Sequence, residues 1–77
     1  MSAAARHQSP VLDVIGQRVR EARLAGGLTQ RDLAVRACIS RESIANLERG
    51  DQDMPVTRLW LIARLLGISL ASLVEAL

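Results

Sequence analysis

Polar side chains recur between residues 41 and 49 at a spacing that places them on one face of a helix. They are Arg41, Glu42, Asn46 and Arg49, with the small Ala45 among them. Each type can contact the edge of a nucleic-acid base: arginine pairs with guanine, glutamate accepts from cytosine, asparagine pairs with adenine, and alanine admits a thymine methyl group. Composition alone, however, favours an ordinary solvated helix face, because most surface helices carry similar residues.

Helix-capping signals define the elements that must position these residues. Thr29 is a favoured N-cap residue, and Asp32 three positions later completes a capping-box pattern. Ser40 and Ser69 provide N-caps for two later helices. An apolar pair at hydrophobic-staple spacing flanks each cap: Leu28 with Leu33, Ile39 with Ile44, and Ile68 with Leu73. These signals locate three helix starts closely.

The apolar periodicity predicts an all-α chain of five helices without strands. The helices run from about Pro10 to Ala25, Thr29 to Ala37, Ser40 to Arg49 and Pro55 to Leu66, and the last begins at Ser69. Only Cys38 and Ile39 join the second helix to the third, so these two helices must cross at a steep angle. We therefore predict a helix-turn-helix from about Thr29 to Arg49, with the polar face on its second helix.

Length and composition favour a single small domain. The chain has 77 residues with one aromatic residue and one cysteine, so aliphatic side chains must build the core and no intramolecular disulfide can form. We expect a disordered tail at residues 1–10 and one domain at residues 11–77. No apolar segment is long enough to span a bilayer, and residues 1–10 do not resemble a signal peptide. We therefore expect a cytoplasmic protein.

The sequence shows no grouping of catalytic residue types, which favours a binding protein over an enzyme. The net charge is only +2, but all ten basic residues are arginine. The planar guanidinium suits phosphates and guanine, although a GC-rich genome would explain the same bias. His7 is the only histidine, and Cys38 has no histidine near it in the predicted fold. We expect no catalytic activity, metal, cofactor or small-molecule effector.

Four segments have the residue types and the spacing of a known protein family. They are Leu28–Ala34, Ile39–Ile44, Leu47–Gly50 and Leu59–Gly67. Together they resemble the Cro/C1-type (XRE) helix-turn-helix family, which includes phage repressors and restriction–modification controller proteins. The similarity extends over about Ile15 to Leu73. It implies a compact five-helix bundle of the phage-repressor DNA-binding type, with the third helix in the major groove of double-stranded DNA.

The resemblance also implies roles for individual residues. The positions that read bases are Arg41, Glu42 and Asn46. The positions that contact the DNA backbone are Thr29, Gln30, Ser40, Ser43 and Arg49. In the family, the glutamine that matches Gln30 also braces the third helix. Arg23 and Glu48 match a partly buried salt bridge between the first and third helices.

The sequence departs from the family pattern at two places. The turn position that is usually glycine is Cys38, where a left-handed backbone would cost roughly 1–2 kcal/mol. We expect this thiol to be a small buried residue, with redox sensing as the alternative. In the loop before the fourth helix, the family often has a proline where Met54 stands, and this loop carries Asp51 and Asp53, which DNA phosphates would repel. We expect that loop to face away from the DNA backbone or to make weaker contacts than basic loops do.

The two C-terminal helices carry more apolar side chains than one small core needs. Those assigned to an interface are Trp60, Leu61, Leu70, Leu73 and Leu77. An exposed apolar patch commonly marks an interface, and in this family such a surface often makes a two-fold dimer. The alternative is that Trp60 simply closes the core of the monomer. We predict a homodimer that presents two recognition helices to a palindromic operator.

The function predicted from the sequence is that of a sequence-specific transcriptional regulator. An antitoxin-like or other protein-interaction module of the same fold is the alternative. Acidic candidates for contact with RNA polymerase are Asp32, Asp51 and Asp53, and the tail with Arg6 and His7 is either inert or an arm that reaches the minor groove. The operator, the regulated genes and the sign of regulation are not encoded in any recognisable motif.

Overall fold

The computed structural model describes residues 9–77, which fold into five helices without a strand among them. The helices are α1 (Pro10–Ala25), α2 (Gln30–Ala37), α3 (Arg41–Glu48), α4 (Val56–Leu66) and α5 (Leu70–Val74). The predicted all-α, five-helix fold is confirmed. The predicted tail lies outside the described residues as far as residue 8, and Ser9 already caps α1 through its hydroxyl. No helix within residues 9–77 is both long and apolar enough to cross a membrane.

Side-chain caps define where the helices begin. The Thr29 hydroxyl accepts from the Asp32 amide, and the Asp32 carboxylate accepts from the Thr29 amide, both at 2.9 Å. The hydrogen bond from the Thr29 backbone amide lowers the pKa of Asp32. The cap therefore stabilises α2 at pH values above the ordinary pKa of aspartate, and this stabilisation is lost as the pH falls through the lowered pKa. Ser40 and Ser69 cap α3 and α5 by accepting from amides three residues later.

The core is aliphatic and receives side chains from all five helices, with α2 packed on α3 and α4. Its fully buried larger side chains are Val19, Leu33, Ile44, Leu47, Ile62 and Leu73. Two expectations about facing were wrong. Ala45 is buried rather than exposed, because α3 is packed on two sides. Leu73 is buried in the monomer rather than exposed at an interface.

A glycine permits the close contact between α1 and α3. Gly16 is buried, and a Cβ there would overlap the carbonyl oxygen of Leu47 and lie 2.9 Å from that of Glu48. No other residue type allows the two backbones to approach so closely. Gly16 therefore sets the distance at which the end of α3 rests on α1.

The turn between α2 and α3 departs from the expected environment of Cys38. Its backbone is left-handed, with φ 58° and ψ 41°, as the glycine-like position requires. The residue is exposed, so the expectation of a buried thiol was wrong. The Cβ in this conformation costs roughly 1–2 kcal/mol, which the packing of the two helices must offset.

Arg18 ties the C-terminal helix to α1 by a contact that the sequence pattern did not reveal. Its guanidinium donates to the carbonyl oxygens of Glu75 at 2.7 Å and Ser72 at 3.4 Å. A cation at the C-terminal end of a helix also interacts favourably with the helix dipole. The short α5 is thereby fixed against α1.

We expect Gly16→Ala to lower the free energy of unfolding by about 1–3 kcal/mol, because the added methyl group meets backbone that cannot move aside cheaply. Gly26→Ala is the matched control, since its Cβ would meet nothing closer than 3.5 Å at an ordinary negative φ. That control should stay within about 1 kcal/mol of the wild type. Urea denaturation measures both, and equal stability of the two variants would contradict the close contact.

Candidate nucleic-acid interface

The outer face of α3 carries the three predicted base-reading residues. Arg41 and Glu42 are exposed in its first turn, and Asn46 is half-buried one turn further along. Ala45 is removed from this face by its burial, so it does not offer contact to a thymine methyl group. On the remaining polar surface Arg41 supplies donors, Glu42 supplies acceptors and the amide of Asn46 supplies both.

A buried ion pair lies beneath this face and holds it in place. Arg23 of α1 donates through Nε to Glu48 Oε2 at 2.6 Å and through the NH2 nitrogen to Oε1 at 2.9 Å. A third bond joins its NH1 nitrogen to the carbonyl oxygen of Leu28 at 2.9 Å. Both residues are less than one-tenth exposed, and the hydrogen bond with Glu48 raises the pKa of Arg23. The Arg23 guanidinium therefore contacts the Glu48 carboxylate in a two-pronged geometry.

Gln30 connects this buried pair to the exposed Arg41. Its amide nitrogen Nε2 donates to Glu48 Oε1 at 3.1 Å, and its Oε1 accepts from Arg41 at 3.0 Å. The carboxylate can only accept, so it requires the NH2 end of the Gln30 amide to face it. The amide oxygen must then face α3, where it holds the guanidinium of Arg41.

A cleft with arginine side chains in its lining opens at the start of α2, beside these contacts. It has a volume of about 640 Å³. Its polar lining includes Thr29, Gln30, Arg31 and Arg41. The amide groups of a helix N-terminus and two guanidinium groups favour an anion such as a phosphate. Arg31 was missed in the sequence analysis, although its place in the first turn after the Thr29 cap was a usable signal.

The two serines assigned to backbone contacts lie at the start of α3. The Ser40 hydroxyl accepts from the Ser43 amide at 3.0 Å and donates to the Ser43 hydroxyl, also at 3.0 Å. Ser40 is exposed and Ser43 is half-buried. Ser40 is therefore occupied as a helix cap, whereas the Ser43 hydroxyl retains its own hydrogen for a further acceptor.

Arg49 lies at the other end of α3 between two oxygen acceptors. Its Nε donates to Asp51 Oδ2 at 3.1 Å, and its NH2 nitrogen donates to Asn46 Oδ1. The family resemblance implied a contact of Arg49 with the DNA backbone. Its contact with the acidic loop, through Asp51, was not predicted from the sequence.

The residues assigned to a dimer interface divide into two groups. Trp60, Leu61 and Leu70 line an open apolar groove of about 580 Å³ together with Val56 and Thr57. Trp60 is 50% exposed and carries the Arg64 guanidinium 5.1 Å from its ring centre, while Leu77 is 51% exposed. Leu73 is fully buried and cannot face a partner, which corrects its assignment.

Nothing in this part of the chain forms a metal site. Across residues 9–77 no three histidine, cysteine, aspartate or glutamate side chains are grouped closely enough to hold an ion.

Comparison with protein families agrees with this arrangement. The helix-turn-helix family model matches residues 19–73, which include α2, α3 and α4 completely. The chain belongs to the Cro/C1-type helix-turn-helix family. It therefore has the fold of helix-turn-helix DNA-binding regulators. A comparison with curated proteins gave no match.

Solved structures of gene regulators resemble the chain over most of its length. The restriction–modification controller protein C.AhdI from Aeromonas hydrophila is 34% identical with a TM-score of 0.77, covering 80% of this chain and 94% of its own. The clp gene regulator ClgR from Corynebacterium glutamicum is 27% identical with a TM-score of 0.82, covering 87% and 86%. The controller C.Esp1396I, solved as a tetramer with its natural 35 base-pair operator, is 29% identical with a TM-score of 0.77, covering 88% and 90%.

We expect Glu48→Ala to lower the free energy of unfolding by about 3–5 kcal/mol, because it leaves the buried Arg23 guanidinium without its counter-charge. Glu21→Ala is the control, since it removes the same side chain from the exposed face of α1 and should change stability by no more than about 0.5 kcal/mol. Urea denaturation of both variants measures the difference. Unfolding of Glu48→Ala at the wild-type urea concentration would mean that the pair contributes nothing.

Proposed function

We propose that the chain is a sequence-specific transcriptional regulator that inserts α3 into the major groove of DNA. The observation that carries this proposal is the rigid attachment of the α3 polar face to the buried Arg23–Glu48 pair through Gln30. A base-reading side chain that is already held in position loses little conformational entropy on binding. Arg41, Glu42 and Asn46 are the proposed base readers.

The start of α2 and both ends of α3 supply the proposed contacts with the DNA backbone. The residues proposed for these contacts are Thr29, Gln30, Arg31, Ser40, Ser43 and Arg49. Arg31 and Arg41 line one cleft with the N-terminus of α2, which is a favourable environment for a phosphate group. Because arginine–phosphate contacts release counter-ions, we expect affinity to fall steeply as salt increases.

We further propose that two copies bind together on a palindromic site. The support is the apolar groove between α4 and α5, where half-exposed Trp60 and the neighbouring Leu61 and Leu70 leave apolar surface in water. The similar controller C.Esp1396I was solved as a tetramer on its operator, which agrees with assembly through repeated copies. A two-fold dimer would place two α3 helices in successive major grooves about 34 Å apart.

Selection from a random DNA pool at near-physiological salt tests this function, with titration of the selected sequence. We expect a two-fold-symmetric motif whose half-sites are about one helical turn apart. Enrichment of an asymmetric single site would overturn the dimer but not the reading of sequence. No enrichment, with weak and salt-sensitive binding only, would overturn the function and favour a protein partner.

We expect Leu61→Glu to convert the dimer to a monomer, because it places a charge in the apolar groove. Val35→Glu is the control, since Val35 is 70% exposed on α2 and does not line the groove. Analytical ultracentrifugation of both variants and the wild type gives the oligomeric state. A Leu61→Glu variant that sediments like the wild-type dimer would place the interface elsewhere.

A further inference from the structure

Glu42 places an exposed carboxylate in the first turn of α3. Within residues 9–77 this carboxylate takes part in no hydrogen bond or ion pair. The residues three and four positions further along the helix, which share its side, are Ala45 and Asn46, and neither carries a charge. Glu42 therefore has no counter-charge on its own side of the helix.

The arginine that precedes it in the sequence, Arg41, is directed elsewhere. Consecutive residues of a helix do not face each other, and the Arg41 guanidinium donates to Oε1 of Gln30 at 3.0 Å. The Gln30 amide cannot turn round without losing its bond to Glu48, because a carboxylate accepts and does not donate. The structure thus holds Arg41 towards α2 and leaves the Glu42 carboxylate without it.

The helix dipole accounts for only part of this arrangement. A negative charge in the first turn of a helix interacts favourably with the dipole, whatever lies outside the protein. In the proposed complex, however, the first turn of α3 lies against base edges in a groove that is bordered by phosphates. A carboxylate in that place is repelled by the phosphates and loses water, so it needs a base that donates a hydrogen bond to it.

Only two groups on the base edges of the major groove donate hydrogen bonds, N4 of cytosine and N6 of adenine. The adenine N6 lies between two acceptors, its own N7 and O4 of the paired thymine, and both repel a carboxylate. The cytosine N4 has an acceptor on one side only, O6 of the paired guanine, and its other neighbour is the apolar C5 edge. A carboxylate therefore favours cytosine over adenine.

We infer that Glu42 makes the protein select cytosine at one position of its DNA site, by accepting a hydrogen bond from N4. The inference rests on the proposed insertion of α3 into the major groove and names one base of the sequence that α3 reads. The same carboxylate disfavours thymine and guanine, which offer it no donor in that groove. We expect a wrong base at this position to cost roughly five- to 150-fold in affinity, the range of a good base contact.

Selection from a random DNA pool with the full chain and with Glu42→Ala tests this inference. The position at which the motif of the variant relaxes is the one that Glu42 reads. We expect cytosine at that position in the wild-type motif. Any other base there would overturn the inference, and so would a motif that Glu42→Ala leaves unchanged.

Glu42→Gln then separates the charge of the side chain from its shape. A glutamine pairs with adenine through N6 and N7, so we expect the preference at that position to move from cytosine to adenine. Glu21→Gln is the matched control: it removes the same charge from the exposed face of α1, where Glu21 accepts from Gln17 at 3.1 Å. It should keep the wild-type motif. Cytosine retained by Glu42→Gln, or a shift common to both variants, would overturn the inference.

A modified base tests the hydrogen-bonding atom itself. N4-methylcytosine still pairs with guanine, but its methyl group takes the place of the hydrogen that Glu42 would accept. With this base at the Glu42-dependent position, we expect the wild type to bind at least about fivefold more weakly, whereas Glu42→Ala should bind both DNAs equally. Equal binding of both DNAs by the wild type would overturn the inference. A wild type that selects no motif at all would instead overturn the proposed function, so the two failures are distinguished.

Discussion

The buried ion pair between Arg23 and Glu48 is the constraint on which the placement of α3 depends. Removing two charges from water is expensive, and only a two-pronged geometry with further hydrogen bonds offsets that cost. Here Leu28 supplies a carbonyl oxygen to the arginine and Gln30 an amide to the carboxylate. The aliphatic core brings the helices together, whereas these directional bonds select one orientation of α3 on α1.

The orientation of α3 in turn determines how its functional side chains are presented. Gly16 lets the end of α3 rest directly on α1, and the left-handed backbone of Cys38 ends α2 just before α3 begins. The Gln30 amide links the buried carboxylate to Arg41 on the surface through two hydrogen bonds. In the proposed reading of DNA, Arg41 is thus held in position before DNA binds, which reduces the entropic cost of recognition.

Local signals in the sequence were sufficient to predict where the helices begin, but not which way every side chain points. Thr29, Ser40 and Ser69 act through hydrogen bonds within three residues, so their spacing predicts the helix starts directly. The predicted exposure of Ala45 and Leu73 was wrong because a short helix that is packed on more than one side buries more of its surface than a single apolar stripe. The contact of Asp51 with Arg49 depends on the backbone turn at Gly50, which residue spacing does not specify.

The most direct test of the account compares Arg41→Ala with the wild type on the selected DNA site and on random DNA of equal length. If α3 reads bases through an arginine held by Gln30, the variant should lose about 1–3 kcal/mol on the selected site and clearly less on random DNA. Selection with the variant should also show relaxed preference at one base pair. Equal losses on both DNAs would mean that Arg41 contacts only phosphate, and would contradict the assignment of α3 as the recognition helix.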